Sequence, residues 1–386
     1  MSDQVDFSVV IPALNEEGTV GICVDKALGS FKASGRNGEV IVVDNGSTDR
    51  TVEVAEEAGA RVVKESRKGY GSALKRGIAE ARGKYIIMGD ADDTYDFSKI
   101  RPFMKKLEKG VDLVMGSRLG GRINPDAMPP LHRYIGNPVL TGILNIFFRG
   151  RISDAHCGLR GFSKDAVNSL NLRSDGMEFA SEMIIKALND RLNIEQIPIE
   201  YHSSPVERKP HLRSFRDGWR HLRFMLIYSP EYLFLVPGAV LFLTGAALLV
   251  MVTIKSFYVS SIQLGLSTMI FSHGSVFLGL QLMLLGISAK IKGCAEGMIP
   301  QDAVVKFVKE KFRLEKGLQA GFAVMLAGLA LGGFTVWKLY LQQSSLTVNI
   351  GLTKLAIISV TVILLGLQLM AASFYLSLAD IDRTLE

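Results

Sequence analysis

Four long apolar segments without Asp, Glu, Lys or Arg constrain the fold of this chain more than any other feature of its sequence. They are Tyr232–Ile254, Leu266–Ala289, Leu318–Trp337 and Leu355–Ala379. Each has about the 20 residues that a helix needs to cross roughly 30 Å of hydrocarbon. A chain of 386 residues has too little other surface to bury four such helices in a soluble core. The sequence therefore predicts a transmembrane domain of four helices over residues 231–379, followed by a tail at 380–386.

Basic residues in the loops predict the orientation of these helices. The connection Lys290–Lys316 carries seven Lys or Arg, whereas the other two loops offer little beyond Lys255 and Lys354. By the positive-inside rule, the N-terminal half, this connection and the C-terminus face the cytoplasm. The N-terminus lacks the basic and apolar regions of a signal peptide. We expect a multi-pass protein of a cell or endoplasmic-type membrane, with its N-terminal domain and both termini cytoplasmic.

The segment just before the first apolar run predicts an amphipathic helix over residues 211–230. Apolar and basic side chains recur there at helical spacing, in two parallel stripes. Such a helix lies in the membrane interface, with its arginines near the lipid phosphates. A helix packed on the soluble domain is the alternative. The apolar stripe is Leu212, Phe215, Trp219, Leu222 and Leu226, and the basic stripe is Arg213, Arg216, Arg220 and Arg223.

The first half of the chain, residues 1–210, alternates short β-rich runs with helical patterns. Runs rich in Val and Ile between helices predict an α/β domain, in which helices cover both faces of a mostly parallel sheet. There is no GxxxxGK[ST] motif, and no GxGxxG follows the first run, which argues against a P-loop NTPase and a dinucleotide dehydrogenase. The predicted strands are Phe7–Ile11, Glu39–Asp44, Arg61–Lys64, Tyr85–Met88 and Asp112–Met115.

Polar clusters follow three of these predicted strands. They are Asn15–Glu17, Asp44–Asp49 and Asp90–Asp92. In parallel α/β sheets, ligands bind beyond the carboxyl ends of the strands. We therefore expect the three clusters to meet at one edge of the sheet and to form a ligand site.

The stretch Tyr85–Phe97 places four carboxylates within seven residues, directly after a strand. Carboxylates packed this closely repel each other unless a cation offsets their charge. Oxygen ligands of this kind suit Mg²⁺ or Mn²⁺, which also bridge phosphate oxygens. A solvated acidic loop is the alternative, and Asp93 and Asp96 are expected to be solvated or to cap a helix. Asp90 and Asp92 are the predicted metal ligands.

Several motifs together resemble a known family. "VVIPALNEEGTV", "VVDNGSTD", "GYGSAL", "GDAD", "GSRL" and "DAHCGLRGF" occur in this order over residues 7–230. The set resembles family 2 glycosyltransferases of the GT-A fold, in the branch of dolichyl- and other polyprenyl-phosphate glycosyltransferases. The four-helix tail is similar to that of some members.

The resemblance implies a site for a nucleotide-sugar donor. Mg²⁺ or Mn²⁺ would be held by Asp90 and Asp92, with Thr94 as a further candidate. One departure is Asn45, which stands where a second Asp is frequent. The implied donor-binding residues are Pro12, Ala13, Leu14, Glu16, Asp44, Asp90, Ala91 and Asp92.

The resemblance also implies a site for the acceptor phosphate. Arg118 and Arg133 match catalytic arginines, and Asn137 matches a small polar phosphate contact. Asp154 matches an acidic residue near the reacting centre, where it would act as a general base, orient an arginine or cap a turn. The family's basic segment before the membrane has three candidates here, Arg208, Lys209 and Arg213.

The predicted function is metal-dependent, inverting transfer of a sugar from a nucleotide-sugar to a membrane polyprenyl or dolichyl phosphate. UDP-hexose is the expected donor and GDP-mannose its alternative, and the product would serve glycan or cell-envelope assembly. The clustered net charge of +6 favours an anionic membrane over a nucleic acid as partner. An oligomer is compatible with the sequence.

A processive polysaccharide synthase and a non-catalytic membrane protein are the alternatives to this function. A processive polysaccharide synthase would carry a QxxRW segment, which the chain lacks. A non-catalytic sugar-nucleotide scaffold or a transporter is the third option. The apolar segments contain no charged residue, which argues against transport of ionic cargo. His273, the one imidazole in these segments, is expected to hydrogen-bond to a neighbouring helix.

Overall fold

The chain forms two compact units, Met1–Met225 and Leu226–Glu386. The structure, a computed structural model, describes residues 5–206, 214–259, 262–311, 314–342 and 349–379. The first unit is an α/β domain, and the described part of the second is almost entirely helical.

A seven-stranded sheet forms the centre of the first unit, with the spatial order β3-β2-β1-β4-β6-β5-β7. Strand β6 runs antiparallel to both of its neighbours, and the other adjacent pairs are parallel. The predicted fold class, a mostly parallel α/β sheet, is confirmed. The strands are β1 (Phe7–Ala13), β2 (Gly38–Asp44), β3 (Arg61–Lys64), β4 (Tyr85–Met88), β5 (Leu113–Ile123), β6 (Arg160–Ser163) and β7 (Ile194–Tyr201).

The helices of the first unit follow the strands in the chain. They are α1 (Val20–Ser34), α2 (Thr51–Glu57), α3 (Tyr70–Glu80), α4 (Arg101–Glu108), α5 (Asn137–Phe148), α6 (Lys164–Ser169), α7 (Phe179–Asn189) and α8 (Ser214–Tyr228). A 3₁₀ turn at Phe97–Lys99 precedes α4, and a π-helical turn at His132–Gly136 precedes α5.

Helices cover both faces of the sheet. Successive strand residues point to opposite sides, so the apolar runs of the strands leave both faces to be buried. Val9 on β1 shares a buried core with Cys23 of α1. On the other face, α3 approaches so closely that a Cβ on Gly77 would lie 2.8 Å from Cγ2 of Val43 and would also contact Val10. The sheet is thus buried on both sides, and its strand ends are left as the accessible edge.

The second unit contains four helices that are long and apolar enough to cross a membrane, at Glu231–Ile254, Leu266–Ala295, Leu314–Leu341 and Ile350–Ser377. Each overlaps one of the four apolar segments of the sequence. The elements of this unit are α9 (Val236–Ile254), the strands β8 (Phe257–Val259) and β9 (Ile262–Leu264), α10 (Leu266–Ala295), α11 (Ala303–Lys311), α12 (Leu314–Leu341) and α13 (Ile350–Ala379).

Glycines bring these helices together in two pairs. A Cβ on Gly238 of α9 would lie 2.8 Å from the carbonyl oxygen of Gly279 on α10. A Cβ on Gly321 of α12 would likewise lie 2.8 Å from the carbonyl oxygen of Gly366 on α13. Small residues allow such backbone contact between membrane helices, where packing takes over from the hydrophobic effect. Each pair is therefore a closely packed hairpin.

Polar side chains join the two hairpins through α10 and α13. His273 Nδ1 lies 2.6 Å from Thr361 Oγ1, and Gln368 donates to Gln281. The predicted hydrogen bond from His273 to a neighbouring helix is confirmed.

Candidate active site

The carboxyl ends of β1, β2 and β4 lie side by side. Ala13 is paired with Asp44 across β1 and β2, and Val10 is paired with Met88 across β1 and β4. The N–H of Gly89 then donates to the carbonyl of Val10 at 3.3 Å. The polar clusters after these three strands therefore share one edge of the sheet, although Asn15 and Asp92 are 77 positions apart in the chain.

The loop after β1 is fixed by the loop after β2. The N–H of Glu16 donates to Thr51 Oγ1 at 2.8 Å, and Asn15 Oδ1 accepts from the N–H of Thr48 at 2.8 Å. Asp44 is buried, and its carboxylate accepts the N–H of Ser47 at 2.8 Å. Leu14 and Glu16, two of the expected donor-binding residues, are half-buried on this loop, whereas Pro12 is half-buried and Ala13 buried at the end of β1.

Asn45, the departure noted in the sequence, ties β2 to the loop before α3. Its Nδ2 donates to the carbonyl oxygens of Glu65 and Arg67, at 3.0 and 2.9 Å. Its Oδ1 accepts the N–H of Gly69 at 2.8 Å. A carboxylate has no proton to give to the two carbonyls. The amide at position 45 is thus required by the loop it holds, which gives a physical reason for the missing negative charge.

Asp90 and Asp92 follow β4, and each accepts a hydrogen bond from a hydroxyl group. Tyr70 Oη donates to Asp90 Oδ1 at 2.9 Å. Thr94 Oγ1 donates to Asp92 Oδ1 at 2.6 Å, and the Thr94 N–H donates to the same oxygen at 3.1 Å. The phenol of Tyr70 stays protonated, because burial and the nearby Asp90 raise its pKa well above 10. Tyr70 was not identified from the sequence, although it lies in the "GYGSAL" motif.

The donor set of Asp90 and Asp92 suits a magnesium or manganese ion. Both groups supply only carboxylate oxygens, the ligands that these ions prefer. Within the described residues, no cluster of three or more His, Cys, Asp or Glu side chains could hold a metal ion by itself. Mg²⁺ commonly binds through one or two carboxylates together with substrate phosphates and water. The two aspartates therefore fit an ion that arrives with a diphosphate.

The other two acidic residues of the segment have local partners. Asp93 is buried and forms an ion pair with Lys26 at 2.7 Å, so the expectation of a solvated or capping Asp93 was wrong. Asp96 accepts the N–H of Ser98 and caps the 3₁₀ turn Phe97–Lys99, as expected. The four carboxylates are therefore tolerated in part because two of them have these separate roles.

Arg118 and Asp154 form a buried ion pair. The guanidinium Nε and Nη2 donate to the two carboxylate oxygens at 2.7 and 2.8 Å, and the Arg118 N–H adds a third bond at 3.1 Å. The N–H of His156 donates to Asp154 Oδ1 at 3.2 Å. Burial raises the pKa of Asp154, but the hydrogen bonds and charge of Arg118 outweigh it, so the net pKa shift is downward. A carboxylate with four donors and a lowered pKa is a weak proton acceptor.

Arg133 and Asn137 lie on the π-helical turn and the start of α5. The Arg133 guanidinium is 5.3 Å from the centroid of the Tyr134 ring, and Asn137 Nδ2 donates to Met128 Sδ at 3.4 Å. The surface around Arg133 is apolar and exposed, with Leu131, Tyr134, Ile135, Val139 and Ile146 all open to solvent.

Arg160, in the motif "DAHCGLRGF", is a structural residue that the sequence did not single out. Its side chain is fully buried. The guanidinium donates to the carbonyls of Ala155, Cys157 and Ala180 at 2.9, 3.0 and 2.6 Å. It thereby holds the turn after Asp154 against α7.

His156 packs against α8 through a second histidine. The rings of His156 and His221 meet edge to face, with centroids 4.6 Å apart, and His221 Nδ1 lies 2.8 Å from Ser181 Oγ. Neither ring nitrogen of His156 has a hydrogen-bond partner among the described residues. Burial lowers the pKa of both imidazoles, so they are neutral near pH 7.

Helix α8 buries one face, in part against the rest of the first unit, and leaves the aromatic side chains of Phe215 and Trp219 exposed. Asp217, His221 and Met225 are buried at a spacing of four residues. Phe215 is 85% exposed and Trp219 is 57% exposed. This is the opposite of a helix that covers a soluble core. The basic candidates Arg208, Lys209 and Arg213 lie outside the described residues, as does Leu212 of the apolar stripe.

Comparison with known proteins gives two family matches and several relatives. Residues 8–170 match the model of glycosyl transferase family 2, and residues 287–380 match that of the family 2 C-terminal transmembrane region. The low-salt glycan biosynthesis hexosyltransferase Agl6 of Haloferax volcanii is 40% identical over 376 residues, which are 96% of this chain and 88% of that protein.

Two further relatives match the first half of the chain. A dolichyl-phosphate hexose transferase of Haloferax volcanii is 28% identical over 204 residues, or 53% of this chain and 86% of that protein. A dolichyl-phosphate beta-glucosyltransferase of Saccharomyces cerevisiae is 30% identical over 228 residues, or 52% of this chain and 68% of that protein.

Proposed function

The chain belongs to the family 2 glycosyltransferases, and on this premise we propose that it transfers a hexose from a nucleotide-sugar to a polyprenyl or dolichyl phosphate in a membrane. A phosphate oxygen of the lipid attacks C1 of the sugar, and the nucleoside diphosphate leaves. Attack from the side opposite the leaving group inverts the configuration at C1. UDP-hexose is the first donor to test and GDP-mannose the second. The names of the dolichyl-phosphate relatives support the acceptor class.

One observation carries this proposal. The carboxylates of Asp90 and Asp92 follow β4 at the same sheet edge as Asp44, in a chain that also has four helices of membrane-spanning length. The carboxylates suit a diphosphate that binds with a divalent cation. The four helices suit an enzyme whose acceptor is a lipid. Transfer to a soluble acceptor would give the chain no use for the helices.

The strand-end residues would bind the donor and stabilise its leaving group. Half-buried Pro12, Leu14 and Glu16 would contact the nucleoside beside Asp44. Asp90 and Asp92 would hold Mg²⁺ or Mn²⁺, which offsets the charge that develops on the diphosphate. Lys68 adds positive charge at the same edge, where its Nζ donates to the Asn45 carbonyl at 2.8 Å.

The acceptor is a phosphate monoester and needs little help to become a nucleophile. Its second pKa is about 6, so it is mostly dianionic at neutral pH. We assign Asp154 the role of orienting Arg118, because its oxygens already accept four hydrogen bonds and its pKa is lowered. Arg118 and Arg133 would then attract the phosphate, with Asn137 as a polar contact. Arginine suits this role because its planar fork matches phosphate oxygens.

The exposed aromatic residues of α8 support a location of this helix in the membrane interface. Phe215 and Trp219 would enter the acyl boundary, while the half-buried or exposed Arg216, Arg220 and Arg223 would reach lipid phosphates. The seven basic residues of Lys290–Lys316 support a cytoplasmic position for that loop, and with it for the catalytic unit and both termini.

A transfer assay tests the proposed function. Membranes that contain the chain are incubated with radiolabelled UDP-glucose, UDP-galactose or GDP-mannose, together with a polyprenyl phosphate. Label extracted into organic solvent as a lipid-linked monosaccharide is the expected result, and it should vanish in Asp92→Asn and after chelation of divalent cations. An Asp165→Asn variant, altered on α6 at the opposite edge of the sheet from Asp44 and Asp90, serves as the matched control and should keep full activity.

Two results would contradict the proposal. Label in a long polymer would identify a polysaccharide synthase. Nucleotide-sugar binding without any transfer, over the full set of donors and acceptors, would identify a scaffold.

A further inference from the structure

Tyr70 and Thr94 each donate a hydroxyl hydrogen bond to one of the two aspartates of the proposed donor site. Each carboxylate has one oxygen, Oδ1, that accepts a hydroxyl proton, from Tyr70 at 2.9 Å or from Thr94 at 2.6 Å. The Thr94 contact is local, because the two residues are neighbours in one loop. The Tyr70 contact joins residues 20 positions apart on different elements. It therefore depends on how the fold places α3.

The backbone before α3 determines the position of Tyr70. Gly69 has a φ of +141°, a conformation that favours glycine. Its N–H is held by Asn45 Oδ1 at 2.8 Å, and a Cβ on it would strike the carbonyl oxygen of Asp175. The N–H of Ser72, one turn into the helix, donates to that same carbonyl at 3.1 Å. The phenol thus extends toward Asp90 from a backbone that is fixed on two sides.

The other oxygen of Asp90 lies against a glycine. A Cβ on Gly158 would be 2.9 Å from Asp90 Oδ2 and 3.1 Å from the Tyr95 ring. Gly158 is itself held, because its N–H donates to Tyr95 Oη at 2.8 Å. The Asp90 carboxylate therefore has a hydroxyl donor at Oδ1, and at Oδ2 it faces a glycine whose lack of a side chain leaves room for that oxygen.

We propose that Tyr70 is a positioning residue, whose hydroxyl fixes the orientation of the Asp90 carboxylate and thereby sets the affinity of the site for a divalent cation. This inference rests on the proposed function. Groups that hydrogen-bond to a metal-binding carboxylate typically change metal affinity about 10- to 100-fold when they are removed. Tyr70→Phe removes only the hydroxyl and leaves the ring in place.

The test measures cation binding directly. The full chain in detergent or in nanodiscs is titrated with Mn²⁺ in the presence of UDP, and free Mn²⁺ is measured from its electron paramagnetic resonance signal. Tyr70→Phe should raise the dissociation constant about tenfold or more. Its transfer rate should return toward the wild-type value at saturating Mn²⁺, so that the half-saturating metal concentration changes and kcat changes little. Tyr340→Phe, which removes an exposed phenol on α12, is the matched control and should change neither quantity.

A second variant approaches the same carboxylate from the other side. Gly158→Ala leaves Tyr70 intact but places a methyl group against Asp90 Oδ2, so it should also weaken Mn²⁺ binding. Wild-type Mn²⁺ affinity in Tyr70→Phe would overturn the inference while the proposed function stands. Wild-type protein that transfers sugar equally well without divalent cations, or that binds no Mn²⁺ with UDP, would overturn the metal role in the proposed function itself.

Discussion

Arg118 and Asp154 form an ion pair whose side chains are 8% and 0% exposed. The pair joins β5 to the turn that precedes β6, so it connects two neighbouring strands at the sheet edge where Asp90 and Asp92 also lie. Ionic groups this deep are costly to bury and even more costly to leave without a partner.

Loss of one member of this pair should therefore lower the folding free energy of the protein. Asp154→Asn leaves the Arg118 charge buried without its counter-charge, and the expected loss is about 3–5 kcal/mol of folding free energy. The measurement is chemical denaturation of the purified protein. The double variant Arg118→Met/Asp154→Leu replaces the pair with apolar groups and should recover most of the stability but no transfer activity. Full activity in the double variant would show that neither group serves the reaction.

Stability should depend on acidity through Asp154. Its pKa is lowered in the folded protein, so it stabilises the fold at pH values above its unfolded pKa of about 3.9. This contribution is lost as the pH falls from that value through the lower folded pKa. Acid denaturation followed by circular dichroism should show this loss in the wild type. The double variant lacks the group and should show a shallower dependence in the same window.

The pH dependence of the reaction should follow the acceptor instead of an enzyme carboxylate. Transfer should decline as the pH falls through about 6, where the lipid phosphate becomes a monoanion. The check is a pH–rate profile with two acceptors that differ in their second pKa, for example a prenyl phosphate and the corresponding phosphonate. The profile should shift with the acceptor. An identical profile for both would point to a general base on the protein.

Asn45→Asp should disorder the loop before α3. The substitution removes both donors to the carbonyls of Glu65 and Arg67 and places a negative charge against them. An unsatisfied buried group costs about 1–3 kcal/mol, which corresponds to a fall in Tm of several degrees for a domain of this size. Thermal unfolding checks this. Asn168→Asp, the same change at an exposed position of α6, should leave Tm unchanged. Equal Tm values for the two variants would contradict the role given to Asn45.

Two glycines of α12 should respond in opposite directions to alanine. Alanine is favoured over glycine in a helix by about 1 kcal/mol. Gly333 has nothing within 4 Å of an added Cβ, so Gly333→Ala should be neutral or stabilising. Gly321→Ala places its Cβ 2.8 Å from the Gly366 carbonyl and should lower Tm by forcing α12 and α13 apart. Thermal unfolding in detergent distinguishes them, and stabilisation by both would exclude the packed glycine contact.

The aromatic face of α8 should matter only for acceptors in a bilayer. Trp219→Ser should raise the KM for a long-chain polyprenyl phosphate in vesicles, because interfacial anchoring is lost. It should leave the KM for a short, water-soluble prenyl phosphate near the wild-type value. The matched control is Tyr258→Ser, which removes another exposed aromatic side chain from the second unit. An equal rise in KM for both acceptors would show that Trp219 supports the structure of the first unit and does not anchor it in the membrane.

Local sequence patterns were sufficient for much of the fold. Arg61–Lys64 and Tyr85–Met88 were predicted as strands with the bounds they have, since short runs of β-branched and apolar residues stood between clear turn signals. The position of Asp44 and Asp90 at one edge of the sheet also followed from the parallel arrangement of their strands. In contrast, β6 and β7 were missed, because their pairing partners lie far away in the chain and "RGFS" is too short to show a period.

The contacts that orient the site could not be derived from local patterns. Tyr70 reaches Asp90 only because Asn45 and Asp175 together fix the start of α3, which is a tertiary relationship. The ion pair of Asp93 with Lys26 joins residues 67 positions apart. The motif resemblance predicted Arg118 and Asp154 as site residues and gave orientation of an arginine as one of three roles for Asp154, but it did not identify Arg118 as the partner.

The buried polar residues of α8, Asp217 and His221, make it difficult to separate the two halves of the protein. A fragment cut near residue 210, where the composition changes, would uncover Ser181 and His156 to water. A fragment that keeps the helix would carry Phe215 and Trp219 on its surface and is expected to self-associate unless detergent or lipid is supplied. Solubility of the catalytic half is thus limited by the last helix of that half, even after every membrane-spanning segment has been deleted.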